Sequence, residues 1–442
     1  MPIRQMSVPQ QVGNGFIGNS SCQLSNIIPS VNETSGLAVD LGERSSSDDD
    51  AFETFRRANH ETFRTPWISI IIKEYQGTNL VHGKGFFNVS NPVRPLRSEM
   101  TGRTHRIAVL PGDGIGPEVV EATLTVLNAI QKVDDVKLEL LKGEAGFDVI
   151  SKYGTNLPAK TVDMIKKTDA CLKGPMTTPE EPGSPRSVAV TLRSMFDLYA
   201  NMRPARTLPN VPSLKPNIDM IVVRENTEDL YVGKEFEVAP GVGVAMKINT
   251  TRASERIAKF AFDLSMKRRK KLAFVHKANI LKITDGIFKQ AVLNVGKNYP
   301  GVELEDIHVD AATMQFIRRP ESFDVVVATN LYGDILTDEA AALVGGLGVA
   351  AGGNIGDHYG MFEPAGGSAP KYTGQNKVNP VAMIEASRMM LDFIGEPEAA
   401  VKVEKATLKV LEEGQVLTFD LGGRAKTSDM GSAIAQKILD FA

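Results

Sequence analysis

Hydrophobic and polar positions fall into two regimes along the chain. From residue 105 onward, short apolar runs alternate with stretches in which apolar residues recur every three to four positions. The first such pairs are Ile107–Leu110 with Pro117–Ile130, Val136–Leu141 with Pro158–Lys167, and Ala170–Lys173 with Val188–Leu198. Further strands are predicted at Met220–Val223, Leu272–Val275, Val302–Leu304 and Asp324–Ala328. Further helices are predicted at Ala253–Lys267, Thr284–Val295, Asp334–Leu343, Val381–Ile394, Glu398–Glu413 and Ser428–Leu439. Strand and helix alternating in this way predict an α/β fold with a mostly parallel core. The roughly 340 residues after Met100 exceed what one hydrophobic core covers, so two lobes with a cleft between them are expected.

Residues 1–99 lack this pattern. Gln, Asn and Ser are scattered through 5–36, and a Ser45-Ser-Ser-Asp-Asp-Asp50 run follows; such composition predicts a mostly disordered segment. The first 32 residues contain no Asp or Glu, as organelle-targeting peptides do, but Arg4 is the only basic residue there and no arginine-rich amphipathic helix is present. The plainer alternative is an over-extended reading frame with the true start at Met100. Either way, the segment is expected to be dispensable for activity.

Composition narrows the function classes. With 42% hydrophobic and 23% charged residues the chain is neither wholly disordered nor fibrous. Fifty Lys+Arg against 53 Asp+Glu give a net charge of −3, which offers no global attraction to nucleic acid or a membrane surface. An anionic ligand must therefore be held by local residues. The two cysteines, Cys22 and Cys171, exclude a disulfide scaffold and a thiolate zinc cluster and fit a reducing compartment, the cytoplasm or a mitochondrial matrix. No apolar run reaches the roughly 18 residues of a membrane span.

Several segments carry candidate chemistry. In Leu110-Pro-Gly-Asp-Gly-Ile-Gly-Pro-Glu-Val119 the glycines at 112, 114 and 116 give G-x-G-x-G rather than G-x-G-x-x-G, so a tight structural turn is the better reading than a pyrophosphate cradle. Lys173-Gly-Pro-Met-Thr-Thr178 puts an ammonium and two hydroxyls at the carboxyl end of a strand, where open α/β sheets place ligands. Ser187 and the arginines at 186, 193, 203 and 224 border predicted element ends. A single surface arginine is usually solvated, but several together make a polyanionic substrate credible. Asp334 and Asp338 stand at i and i+4 of a helix, a repulsive placement that a hard divalent cation would relieve. The simpler alternative is that Asp334 complements the helix macrodipole. Asp310, at another predicted strand end, could complete the set. Lys277 and Tyr231 are the proton-transfer candidates, against the plain reading of two edge or snorkelling side chains.

Together these segments, with Asp197-Leu-Tyr-Ala-Asn-Met-Arg203, Arg224-Glu-Asn-Thr-Glu228, Val275–Asn279, Asn330–Asp338, Gly345-Gly-Leu-Gly348 and Gly367-Ser-Ala-Pro-Lys-Tyr372, resemble the β-decarboxylating dehydrogenases of isocitrate, 3-isopropylmalate, homoisocitrate and tartrate. The likeness runs from about residue 104 to 440. It implies a two-domain α/β fold of the isocitrate/isopropylmalate dehydrogenase type, not Rossmann. Residues 104–199 and 346–442 would form a large domain, 200–345 a small domain with a dimer clasp, and 1–103 an extension. It further implies a homodimer with shared active sites and a small carboxylate substrate, with no nucleic acid or membrane partner. The resemblance assigns Mg²⁺ or Mn²⁺ to Asp334, Asp338 and a partner's Asp310, substrate carboxylates to Ser187, Arg193, Arg203 and Arg224, and acid–base roles to Lys277 and Tyr231. It assigns the nicotinamide cofactor to Thr178, Gly367, Ser368, Ala369, Lys371, Tyr372 and Asn379.

Substrate and cofactor are split by the same comparison. Ser187-Val-Ala189 keeps the serine of isocitrate enzymes and loses their asparagine, which puts isocitrate first and leaves 3-isopropylmalate or a tartrate/malate-type acid as alternatives. Lys371-Tyr372 is an NADP-type pair, whereas Phe419 without an arginine four residues on, and Gly366 in a histidine's usual place, favour NAD. Two rival classes are a non-catalytic regulatory subunit, opposed by retention of Lys277, Tyr231 and the three aspartates, and a generic dinucleotide-binding module, opposed by the broken glycine fingerprint.

Overall fold

The computed structural model describes residues 104–441 apart from 182. Expectations for residues 1–99, and the Cys22 thiol, lie outside the described residues. The elements in chain order are β1 (Thr104–Leu110), α1 (Gly116–Val133), β2 (Lys137–Lys142), α2 (Ile150–Tyr153), α3 (Ala159–Ile165), β3 (Ala170–Lys173) and α4 (Val188–Met195). The middle of the chain gives β4 (Ala200–Arg206), β5 (Asp219–Glu225), β6 (Glu235–Ala239), β7 (Val242–Ala245), α5 (Thr251–Met266), β8 (Lys271–His276), α6 (Thr284–Gly296), β9 (Glu303–His308) and α7 (Val309–Arg318). The remainder is β10 (Val325–Ala328), α8 (Asn330–Leu343), β11 (Ala351–Ile355), β12 (Gly360–Pro364), α9 (Val381–Ile394), α10 (Pro397–Glu413) and α11 (Thr427–Asp440).

Ten strands form one sheet in the order β2-β1-β3-β12-β11-β4-β5-β10-β8-β9, and β6 and β7 form a separate hairpin. The flanks are parallel: β2, β1, β3 and β12 on one side, β5, β10, β8 and β9 on the other. At the centre β12, β11, β4 and β5 pair antiparallel. The mostly parallel core is thus interrupted at its middle by two strands, β4 and β11, that the apolar pattern did not predict. Their sequences explain the omission. Ala200-Asn-Met-Arg-Pro-Ala-Arg206 and Ala351-Gly-Gly-Asn-Ile355 are mixed with polar and glycine residues because they face a polar interior.

The helices cover the sheet through separate apolar clusters. Apolar residues of α1, α9, α10 and α11 pack with β1 and β3 in one. In the other flank α5 and α6 cover one face of β5, β8 and β10, while α7 and α8 cover the opposite face. Strand residues such as Val325–Ala328 are fully buried, as a parallel strand covered on both faces requires. Among the described residues no helix is long and apolar enough to cross a membrane.

The glycine turn after β1 is structural, as its spacing suggested. Asp113 N–H donates to the Pro175 carbonyl and Ile115 N–H to that of Ser368, each at 2.9 Å. The buried Asp113 carboxylate accepts from the N–H groups of Phe147, Asp148 and Thr177 at 2.8, 3.0 and 2.8 Å. The turn therefore staples three loops together. A Cβ on Gly114, which has φ +61°, would stand 2.1 Å from the Ser368 carbonyl oxygen. Gly114→Ala is expected to cost about 1–3 kcal/mol, since the close backbone approach must open. Urea unfolding checks this; an unchanged midpoint would mean that the loops are not held through this turn.

Candidate active site

Three of the arginines singled out in the sequence converge. Arg193 lies in α4, Arg203 in β4 and Arg224 in β5, and β4 and β5 are paired with Arg203 opposite Val222 and Arg224 opposite Asn201. Arg224 is 2% and Arg193 8% exposed. Two glycines make the room: a Cβ on Gly352 of β11 would stand 2.7 Å from Arg203 Nε, and one on Gly333 of α8 would stand 2.7 Å from Arg224 Cβ. Arg224 donates to Asn330 Oδ1 at 2.8 Å and to the Asp334 carboxylate. Burial, and then the neighbouring Arg193 charge, bring its guanidinium down to about 10, which leaves it charged at neutral pH. Burial lowers Arg203 as well. Arg186 behaves differently: it is exposed and donates to the Tyr231 carbonyl at 3.0 Å.

Beneath the arginines lies a buried polar network absent from the sequence reading. Glu363 of β12 accepts from Lys173 Nζ at 2.7 Å, Arg193 Nη2 at 3.0 Å and Asn354 Nδ2 at 2.8 Å. Asn354 Oδ1 in turn accepts from Asn201 and Asn226 at 2.7 and 3.0 Å, and Arg203 Nε donates to Asn201 Oδ1 at 2.9 Å. Burial alone would raise the Glu363 carboxyl, yet Lys173, Arg193 and Arg203 together hold it far below the carboxylate range. Arg193 Nε, Arg203 Nη1 and Arg224 Nη2 are nevertheless buried without a hydrogen-bond partner among the described residues. A buried N–H of a cation without an acceptor is costly, and three in one place make a receptor for anionic oxygens.

Asp334 stands above this cluster and accepts from both Arg224 and the Tyr231 hydroxyl. Helix α8 begins at Asn330, four residues earlier than predicted, and its first turn holds no acid. The macrodipole alternative for Asp334 therefore fails. Partial desolvation is the first cause of a raised Asp338 carboxyl; Arg203 pulls it down and Asp334 pushes it up. Burial, then the bond to Asp334, raises the Tyr231 phenol, which keeps it a neutral donor. Lys277 and Asp310 pair with one another instead, at the ends of β8 and β9. Asp310 lies just past the end of β9, at a strand end as expected, and in the first turn of α7, a helix not foreseen. Among the described residues no group of three His, Cys, Asp or Glu is placed to hold a metal ion.

A separate, largely apolar cavity opens beside the glycine turn, where Ile115, Gly367, Ala369, Tyr372, Asn379 and Asp420 are among its walls. Of the seven cofactor positions, Gly367, Ala369, Tyr372 and Asn379 line it. Ser368 is buried and its hydroxyl shares a hydrogen with Thr177 at 2.6 Å, while Thr178 and Lys371 are exposed. Asn379 donates to Asp420 at 3.0 Å, and Thr418 donates to the same carboxylate at 2.6 Å.

A family model described as isocitrate/isopropylmalate dehydrogenase matches residues 106–434. The chain belongs to the isocitrate/isopropylmalate dehydrogenase family. It is 46% identical over 339 residues to a 3-isopropylmalate dehydrogenase of Methanothermobacter thermautotrophicus, covering 76% of this chain and 100% of the relative. It is 45% identical over 337 residues to the isocitrate/homoisocitrate dehydrogenase of Thermus thermophilus, covering 76% and 98%. The crystal structure of isocitrate dehydrogenase from Methylococcus capsulatus is similar with a TM-score of 0.72 at 43% identity, covering 76% of this chain and 99% of that one. The fold expected from the resemblance is thereby established.

Within this dehydrogenase family member, Glu363, Asn354, Asn201 and Asp420 are the site residues that sequence reasoning passed over. Glu363 did carry a signal, since a lone acid in the apolar Gly360-Met-Phe-Glu-Pro364 strand must have a partner. Removing its charge leaves Lys173 and Arg193 buried and unpaired, so Glu363→Gln is expected to lose about 3–5 kcal/mol at pH 7. Because the folded pKa is depressed, Glu363 contributes its full stability above the unfolded value of about 4.3 and loses it as pH falls toward the folded one. Urea melts from pH 7 downward should therefore converge for wild type and variant in acid. Parallel curves at every pH would contradict the assignment.

Proposed function

We propose that this dehydrogenase oxidatively decarboxylates a 2-hydroxy di- or tricarboxylate, with isocitrate to 2-oxoglutarate first among the family's reactions. The observation that carries this reading is the set of three buried guanidinium N–H groups, on Arg193, Arg203 and Arg224, that lack an acceptor among the described residues. Carboxylates supply such acceptors in the bidentate geometry that arginine suits. Ser187 opens α4 without using its hydroxyl as a cap, so the hydroxyl is available to a distal carboxylate. Ala189 packs partly buried against an apolar cluster, which accounts for a side chain unable to hydrogen-bond there.

Asp334 and Asp338 offer two hard oxygen donors one turn apart, and their mutual charge fits a divalent cation such as Mg²⁺ or Mn²⁺. Asp310 would be the third donor, brought by a second copy. Support for a homodimer comes from exposed apolar side chains clustered in sequence around these residues: Ile280, Ile283, Met314, Ile317 and Ile335. In this arrangement 104–199 with 346–442 would act as the large domain and 200–345 as the small one. A cation held by these aspartates would supply Lewis-acid polarisation of the substrate hydroxyl, and a nicotinamide in the cavity would supply the hydride acceptor. Lys277, which pairs with Asp310 and so would arrive with it from the second copy, takes the hydroxyl proton, the arginines hold the carboxylates that stay, and Tyr231, kept neutral, protonates the enol carbon after carbon dioxide leaves.

For the cofactor, NAD is favoured over NADP. The Asp420 carboxylate in the cavity wall would repel a 2′-phosphate and could accept from ribose hydroxyls. At 423, where NADP-type relatives place an arginine, a Cβ would stand 1.9 Å from the Leu417 carbonyl oxygen, so this backbone admits only glycine. On the NADP side stand Lys371, exposed with its ammonium 4.9 Å from the Tyr372 ring centre, and Lys377, whose ammonium lies 4.7 Å from the Phe419 ring centre in the cavity wall.

A second reading, 3-isopropylmalate, is favoured by the name of the relative at 46% identity. A panel of 2-hydroxy acids with NAD and NADP, with and without Mn²⁺, decides between them. Isocitrate with NAD and Mn²⁺ is expected to give the highest kcat/KM. A preference of about tenfold or more for 3-isopropylmalate or a malate-type acid would overturn the substrate. No metal-dependent turnover of any of them would overturn the activity and favour a regulatory subunit.

A further inference from the structure

Resting on the proposed reaction, we infer that Lys247 is a positioning residue that sets both proton-transfer groups, Tyr231 and Lys277, from one buried ammonium. The Lys247 side chain is 12% exposed and lies between Asp229 and Asp285, both with 0% exposure. Its Nζ stands 2.9 Å from Asp285 Oδ1 and 3.5 Å from Asp229 Oδ2, donates to Thr329 Oγ1 at 3.3 Å, and sits 4.1 Å from the Tyr332 ring centre.

Each aspartate spends its other contacts on backbone beside a site residue. Asp285 Oδ2 accepts the Lys277 N–H at 2.7 Å, which fixes the chain where that side chain leaves β8. Asp229 accepts the N–H of Leu230 at 2.8 Å and of Leu331 at 3.1 Å, one residue before Tyr231 and three before Asp334. Asp229 also has φ +69°, a left-handed backbone that a non-glycine residue adopts only when its surroundings impose it. The imposing contacts are those just named, together with its N–H to the Ile248 carbonyl at 2.7 Å, beside Lys247 itself.

Without the ammonium, two carboxylates would share a dry pocket, and their repulsion would move the 229–232 turn and the start of α6 apart. Neither Arg193, Arg203 nor Arg224 hydrogen-bonds to this triad among the described contacts. Lys247 therefore acts first on proton transfer and reaches carboxylate binding only at second hand, through Asn330 and Asp334, the partners of Arg224, while Arg193 and Arg203 keep their own supports. Displacing a reacting group by about 1 Å can cost on the order of 10²-fold in rate.

The test uses the full chain carrying Lys247→Met, and Asp285→Asn as the milder change that keeps an acceptor for the Lys277 N–H. Hydrogen exchange by mass spectrometry should show peptides covering 229–232, 277–284 and 329–334 losing protection together while those of β4 hold. This readout does not depend on activity. With the acid that wild type turns over best, kcat should fall at least tenfold, KM should stay within threefold, and Lys247→Arg should recover part of the loss. Unchanged exchange in these three segments overturns the inference, whatever the enzyme's substrate proves to be. So does a kcat within threefold of wild type per folded subunit, or a loss that appears equally in KM. Wild-type inactivity with every 2-hydroxy acid would instead count against the proposed reaction, leaving the exchange result to judge the triad.

Discussion

Like charge concentrated in a dry place is the constraint from which the site is built. Arg193 lies close enough to Arg203 and Arg224 that its charge, added to burial, weakens the proton affinity of both, and water reaches little of Arg193 and Arg224. Such a cluster is unstable unless anions offset it. Glu363 answers it from below and Asp334 from above, while Lys173 adds a further positive charge whose ion-pair partner among the described residues is Glu363. Even so, three N–H groups stay unanswered among the described residues. The protein carries an unfavourable arrangement that a polycarboxylate would relieve, and on the proposed reading affinity and selectivity for such an acid would come from the same physical source.

The antiparallel centre of the sheet serves this arrangement. Side chains on paired strands alternate across the sheet, so Arg203 on β4 and Arg224 on β5 need exact register to meet over one face. Asn201, Asn226 and Asn354 tie β4, β5 and β11 together through buried side-chain bonds that a slip of one residue would break. Gly352 and Gly333 then let the long arginine stems pass where any Cβ would intrude. The parallel flanks, dominated by valine, leucine and alanine, are the rigid support for that polar middle.

Periodicity made the parallel flanks legible: Ala170–Lys173 and Val381–Ile394 have the bounds read from the sequence, and most other elements differ by a few residues. It failed where tertiary contacts override local preference. Strands β4 and β11 owe their existence to neighbours on both sides, and β12 contains an acid that only a buried cation could justify. The helix carrying Asp310 was hidden because it follows β9 without a break. The candidate site residues were visible as types in a pattern, since Arg193, Arg203, Arg224, Tyr231, Asp334 and Asp338 do form one group. What they rest on was not visible, because Glu363 is 170 positions from Arg193 and 190 from Lys173.

The most direct measurement of the central claim is calorimetric binding of the preferred 2-hydroxy acid with Mg²⁺, in wild type and in Arg203→Met. Among the described residues Arg203 hydrogen-bonds the network through Asn201 alone, and Lys173 and Arg193 keep Glu363 paired without it, so its loss should spare the fold. The account predicts that affinity falls by about 2–5 kcal/mol, while the melting temperature holds or rises as like-charge repulsion is relieved. Undiminished affinity, or a loss of affinity matched by a fall in melting temperature, would contradict it.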